Sequence, residues 1–141
     1  YGDHAKPFMV DIKWSGSEYS FSVGEHVIKA MHCPGHSPGS VAYTTELGGE
    51  LVLFGSDIHG PLHKDLLSNE EDYIDSLTRL LDLDADLLLE GHFGAVEPKE
   101  EVEAFIEQWR SPIGVSHYAI LYAPDDWDIR RKKKKKDKAR E

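Results

Sequence analysis

Cys33-Pro34-Gly35-His36-Ser37-Pro38-Gly39-Ser40 is the stretch on which this chain turns. An apolar run, Val27 to Met31, leads into it, and Val41-Ala42-Tyr43 follows. Two prolines and two glycines among eight residues are incompatible with a helix interior or a central strand. The stretch is therefore a sharp loop between two strands, with His36 at its centre. The same grammar recurs twice. Leu51-Val52-Leu53-Phe54 runs into Gly55-Ser56-Asp57-Ile58-His59-Gly60, and Leu87-Leu88-Leu89-Glu90 runs into Gly91-His92-Phe93-Gly94. Each is an apolar strand that delivers an Asp or His into a glycine-rich loop, and three such strand ends suggest one site.

Outward from these loops the chain divides by period. Met9 to Trp14 and Tyr19 to Val23 alternate apolar and polar residues around Ser15-Gly16-Ser17, which predicts a hairpin. Val27 to Met31, Ser40 to Thr45 and Leu51 to Phe54 read as further strands. Beyond Pro61 the period becomes helical. Ser68-Asn69-Glu70-Glu71 reads as a helix start, with Tyr73, Ile74, Leu77, Leu80 and Leu81 at helical spacing. Leu87 to Leu89 is a short buried strand, and Pro98 suits the first position of a second helix striped by Val102, Phe105, Ile106 and Trp109. Ser111-Pro112 ends that helix, and Val115 to Tyr122 is open between strand and helix. Strands first and helices after is an α+β signature. One domain over residues 1–123 and a disordered basic tail over 124–141 is the expected organisation.

The 141 residues suffice for one domain with a real core. No apolar run approaches the roughly 18–20 residues of a membrane helix, and no signal peptide is read, so a cytoplasmic protein is expected. The single cysteine, Cys33, excludes an internal disulfide framework and reads as a small buried residue. The net charge of −10 hides two parts. Residues 130–141 hold nine Lys/Arg against two acids (+7), which leaves 7 against 24 (−17) for residues 1–129. An acidic body is a poor phosphate-binding surface, so nucleic acid is not the expected partner.

His36, Asp57 and His92 are chemically a metal-ligand set, since imidazole and carboxylate suit Zn, Fe or Mn. Prolines and glycines around them hold a ligand rigidly and leave room for a substrate. Asp57 could instead cap a turn and the two histidines could be ordinary loop residues. His59 and His63 follow Asp57 in a loop bordering such a site. They are candidates for substrate contact or ligand support, with a solvent-exposed loop as the alternative reading. Glu90 is a candidate for orienting His92, with a plain strand-end acid as the alternative.

Together, Pro34-Gly35-His36-Ser37-Pro38-Gly39-Ser40, Phe54-Gly55-Ser56-Asp57 and Glu90-Gly91-His92 resemble the later motifs of the metallo-β-lactamase-fold hydrolases, in the family's order and each after a strand. The resemblance covers roughly Glu18 to Trp109. It implies an αββα sandwich with a metal site at one edge of two packed sheets. It also implies Zn first, with Fe or Mn as alternatives, and hydrolysis of a small ester, thioester, lactone, amide or phosphoester. His36 resembles the histidine that completes the first metal site, and His92 the histidine of the second. Asp57 resembles the carboxylate that bridges two metals and helps activate water. The family's opening His-x-His-x-Asp-His motif is absent, and Asp3-His4 is the nearest approach to it. The chain thus resembles the C-terminal half of such a domain. Its three ligands would divide between two ions, leaving two protein ligands each with one shared, below the three usual at a catalytic zinc. Weak metal binding and little activity are expected of this chain alone. The alternative is a non-catalytic fragment or interaction module that pairs with a copy of itself or with an N-terminal half, through sheet surface left uncovered.

Overall fold

The computed structural model describes residues 9–110. Six strands form one sheet in chain order: β1 (Glu18–Val23), β2 (His26–His32), β3 (Val41–Leu47), β4 (Glu50–Ser56), β5 (Leu87–Glu90) and β6 (Gly94–Val96). Every neighbouring pair is antiparallel except β4–β5, which is parallel. That parallel pair needs a crossover, supplied by a short 3₁₀ turn (Lys64–Leu66) and the helix α1 (Glu70–Leu81). A second helix, α2 (Lys99–Arg110), closes the described chain. The α+β expectation holds, as one sheet with one layer of helices.

Pleating decides which residues form the core. Residues paired across neighbouring strands share a face, which places Met31, Ala42, Leu53 and Leu88 together. The buried residues of both helices, Tyr73, Leu77 and Leu80 from α1 and Val102, Ile106 and Trp109 from α2, join the same cluster. Their spacing is the helical stripe read from the sequence. Leu53 and Leu88 are fully excluded from solvent, and burying a leucine contributes about 1.5–3 kcal/mol. Acidic residues fill the first turn of each helix, where they complement the macrodipole. Asn69 caps α1 by accepting a hydrogen bond from the Asp72 amide at 2.9 Å.

The opposite face is also rich in apolar side chains: Tyr19, Phe21, Ile28, Tyr43, Phe54 and Leu89 lie on it by register. No helix among the described residues covers it. Phe54 is 37% exposed there, and Trp14 stacks on Tyr19 with ring centroids 5.7 Å apart.

Two sequence expectations are corrected. Met9 to Trp14 is not a strand, and the antiparallel partner of β1 is β2, joined to it through Gly24-Glu25. Alternation alone supplies no ladder partner, and Met9 and Ile12 stay exposed. Pro98 stands one residue before α2 and provides the carbonyl that receives the first helical bond, from Val102 at 3.2 Å. The three-residue strand β6 and the 3₁₀ turn were not anticipated. The readings on Asp3-His4, on residues 115–122 and on the basic tail lie outside the described residues.

Candidate metal centre

Strand direction explains why three loops converge. β2 is antiparallel to β3, and β3 to β4, so β2 and β4 run the same way; β5 is parallel to β4. The C-terminal ends of β2, β4 and β5 therefore share one edge of the sheet, the edge at which open α/β sheets present ligand sites. Asp57 directly follows β4, and His92 lies two residues past β5. β2 is one strand further away, about 10 Å from β4. The loop after it must reach back across β3, which is why its ligand candidate, His36, comes four residues beyond the strand.

That reach is held by the main chain. The carbonyls of Pro34, Gly35 and His36 each accept a hydrogen bond from the α1 region: from Ser76 Oγ at 2.7 Å, the Asn69 amide at 2.9 Å and Ser68 Oγ at 2.6 Å. The Cys33 amide donates to the Ser40 carbonyl at 2.9 Å and closes the base of the loop. Gly35 is required where the loop presses on α1. Its φ is +138°, and a Cβ there would lie 2.2 Å from Tyr73 Cα. Ser68 and Ser76 went unnoticed in the sequence. The available signal was Ser76, a buried polar residue on an otherwise apolar helix face.

The side chains meet around Asp57. His36 Nδ1 donates to the Pro61 carbonyl at 2.7 Å, which leaves Nε2 as the nitrogen turned to the site. That atom faces Asp57 Oδ2 at 3.5 Å, while His92 Nε2 faces Asp57 Oδ1 at 3.0 Å. Each oxygen of one carboxylate thus faces a different histidine, and all three residues named from the sequence come together. The donor set of imidazole nitrogens and carboxylate oxygens fits a Zn-, Fe- or Mn-type ion.

His59 and Glu90 depart from the plain readings offered for them. His59 is buried, 7% exposed, not a solvent-facing loop residue. Its ring packs against Phe93 and Trp109 with centroids 5.1 and 6.1 Å away, and edge-on to His92 at 4.8 Å. Its Nδ1 meets Glu90 Oε1 at 2.6 Å. Glu90 Oε2 accepts from the backbone amides of His92 and Phe93 at 2.7 and 2.9 Å. Glu90 therefore holds the His92 loop through its main chain and the His59 ring through its side chain. Burial opposes ionisation of Glu90, but the bonds from His59, His92 and Phe93 outweigh it and hold the carboxyl below the usual carboxylate range. Tyr73 donates its hydroxyl to the Ile58 carbonyl, fixing the link between Asp57 and His59. Burial and then the Glu90 charge push the Tyr73 phenol well above its ordinary pKa.

A cavity of about 370 Å³ opens over these groups, with His36, Asp57, His59, Pro61, His63 and His92 in its lining. His63 sits at the rim, its Nδ1 accepting from the Asp65 amide at 3.2 Å. His32 is held away from the cavity by a 2.7 Å hydrogen bond to the Pro38 carbonyl. Cys33 is buried in the core cluster, and burial raises its thiol pKa.

No protein-family model matches the sequence, and no curated protein matches it. Solved structures do. A Cronobacter sakazakii metallo-β-lactamase carrying a HARLDQ motif aligns with a TM-score of 0.58 and 20% identity, over 82% of this chain and 53% of that one. The fold is a metallo-β-lactamase fold. An archaeal metallo-β-lactamase superfamily protein from Sulfolobus tokodaii aligns with a TM-score of 0.52 and 20% identity, over 74% of this chain and 45% of its own. A metallo-β-lactamase family protein from Thermus thermophilus aligns with a TM-score of 0.50 and 26% identity, over 67% of this chain and 35% of its own. This chain thus spans about half, or less, of the length of these metallo-β-lactamase structures. Among the described residues, no helix is long and apolar enough to cross a membrane.

Proposed function

We propose that this chain carries the C-terminal, metal-holding part of a metal-dependent hydrolase, with His36, Asp57 and His92 as ligands. The observation that carries this reading is the split carboxylate of Asp57, one oxygen toward His36 at 3.5 Å and the other toward His92 at 3.0 Å. A carboxylate so placed suits a bridging role. A bound divalent ion supplies Lewis acidity and lowers the pKa of water, the chemistry needed to hydrolyse an ester, thioester, lactone, amide or phosphoester.

The chain's own residues do the rest. The Pro61 carbonyl fixes the His36 tautomer, Glu90 anchors the His92 backbone, and the Ser68–Asn69–Ser76 clamp keeps His36 in reach of Asp57. The cavity of about 370 Å³ admits a small molecule. His63, at its rim, is placed to contact that molecule.

The test is Zn loading of the full chain, elemental analysis after gel filtration, and a panel of ester, thioester, lactone, β-lactam and phosphodiester substrates. The expected result is retained metal, with any turnover removed by chelation and by Asp57→Asn. A folded chain that retains no divalent metal would overturn the proposal. One observation favours a second reading, an interaction module: the aromatic face around Tyr19, Phe21 and Phe54, which no helix among the described residues covers. A metal-free, inactive oligomer in the same experiment would support it.

A further inference from the structure

We propose that His59 is itself a metal ligand, and that Asp57, His59 and His92 hold one divalent ion entirely within this chain. The inference rests on the metal-dependent reading above and changes its ligand count. Three ligands drawn from the sequence gave two per ion, one of them shared. A fourth residue brings the His92 side of Asp57 to three protein ligands, the number at catalytic zinc sites that keep one position open for water or substrate.

Geometry supports the third ligand. One donor atom each from Asp57, His59 and His92 lies within 4.8 Å of the other two. Tetrahedral ligands at bond lengths of about 2.0–2.1 Å stand roughly 3.3 Å apart. The Asp57–His92 edge is already 3.0 Å. His92 is the exposed member of the three, with its side chain 66% exposed, so it has room to adjust.

The surroundings of His59 show the same purpose. A buried histidine with one nitrogen bonded to a carboxylate and its ring lining the cavity is the arrangement of a supported ligand: the carboxylate fixes the tautomer and aims the other nitrogen. Glu90 Oε1 takes Nδ1–H at 2.6 Å, which leaves Nε2 as the donor. Phe93 and Trp109 wedge the ring on its other sides, so its direction is set before any ion arrives. A histidine needed only for packing gains nothing from a place in the wall of the cavity beside Asp57 and His92.

The experiment is a Zn titration of the full chain, followed by long-range ¹H–¹⁵N NMR of the imidazole nitrogens. Affinity is measured in parallel for the wild type, His59→Gln and His36→Gln. The expected result is that His59 Nε2 and His92 Nε2 shift together and saturate with the first equivalent of Zn. His59→Gln should weaken binding by roughly 100-fold or more, beyond the effect of His36→Gln, given that even losing a ligand's carboxylate support costs roughly 10–100-fold. If His59→Gln fails to fold, as read by far-UV circular dichroism, the wild-type titration decides alone. Zn that moves His36 and His92 but leaves His59 Nε2 unchanged would sink this inference and leave the proposed hydrolase site standing. Zn that moves none of the three would sink both.

Discussion

Gly35→Ala is the sharpest perturbation of the His36 loop that a single methyl group can make. The added Cβ would lie 2.2 Å from Tyr73 Cα and 2.5 Å from Tyr73 N, both on the α1 backbone, which cannot swing aside as a side chain can. Overpacking costs about 1–3 kcal/mol. The φ of +138° is a region that essentially only glycine occupies, at a further cost of about 1–3 kcal/mol for any other residue. Together these give about 3–4 kcal/mol, allowing for partial relaxation. For a chain of 141 residues each kcal/mol lowers Tm by roughly 3–4 °C, so Gly35→Ala should melt at least about 9 °C below the wild type. Gly39→Ala is the control. It lies in the same loop with nothing within 4 Å of its would-be Cβ, and its effect should stay within about 0.5 kcal/mol. Thermal unfolding by circular dichroism, without added metal, measures both. If Gly35→Ala melts within about 3 °C of the wild type, or if Gly39→Ala falls as far, the contact with α1 does not organise the loop.

Further substitutions probe the rest of the framework. Asn69→Ala removes the α1 cap and should cost about 1 kcal/mol in chemical denaturation; no change would mean the cap bond is dispensable. Leu53→Ala, at the centre of the core, should cost about 2–5 kcal/mol in the same assay. Cys33 should react slowly with a disulfide reagent at pH 8 in the native protein, because burial raises its pKa and keeps the thiolate scarce below it. It should react fully once denatured, and fast native labelling would contradict its burial.

What the sequence disclosed and what it concealed follow one physical rule. His36, Asp57 and His92 were legible because each sits where an apolar strand breaks into glycine or proline, a local pattern. The split of Asp57 between two histidines follows from strand direction, which a list of strands does not contain. His59 was legible only as a loop residue bordering the site; its burial was not, because that is supplied from a distance: Glu90 lies 31 residues away in sequence, and Trp109 belongs to the last described helix. By local pattern it is one more loop histidine. Ser68 and Asn69 were read as the opening of a helix, which they are, while their grip on the His36 loop is a tertiary fact. Met9 to Trp14 shows the reverse error, a pattern without a partner. The short strand β6, opening on Gly94, carries too little pattern to register.

The direction of the strands also makes the site mechanically unequal. Asp57 and His92 follow closely on hydrogen-bonded neighbours, β4 and β5, so the strand ends that carry them stay together while the ladder holds. His36 arrives from beyond β3, on a loop held by three side-mounted hydrogen bonds. The centre is built like a vice, with one jaw cast into the bed and the other on a slide. Were a larger ion to bind, the His36 side, held by Ser68, Asn69 and Ser76, would be the side to yield before the sheet.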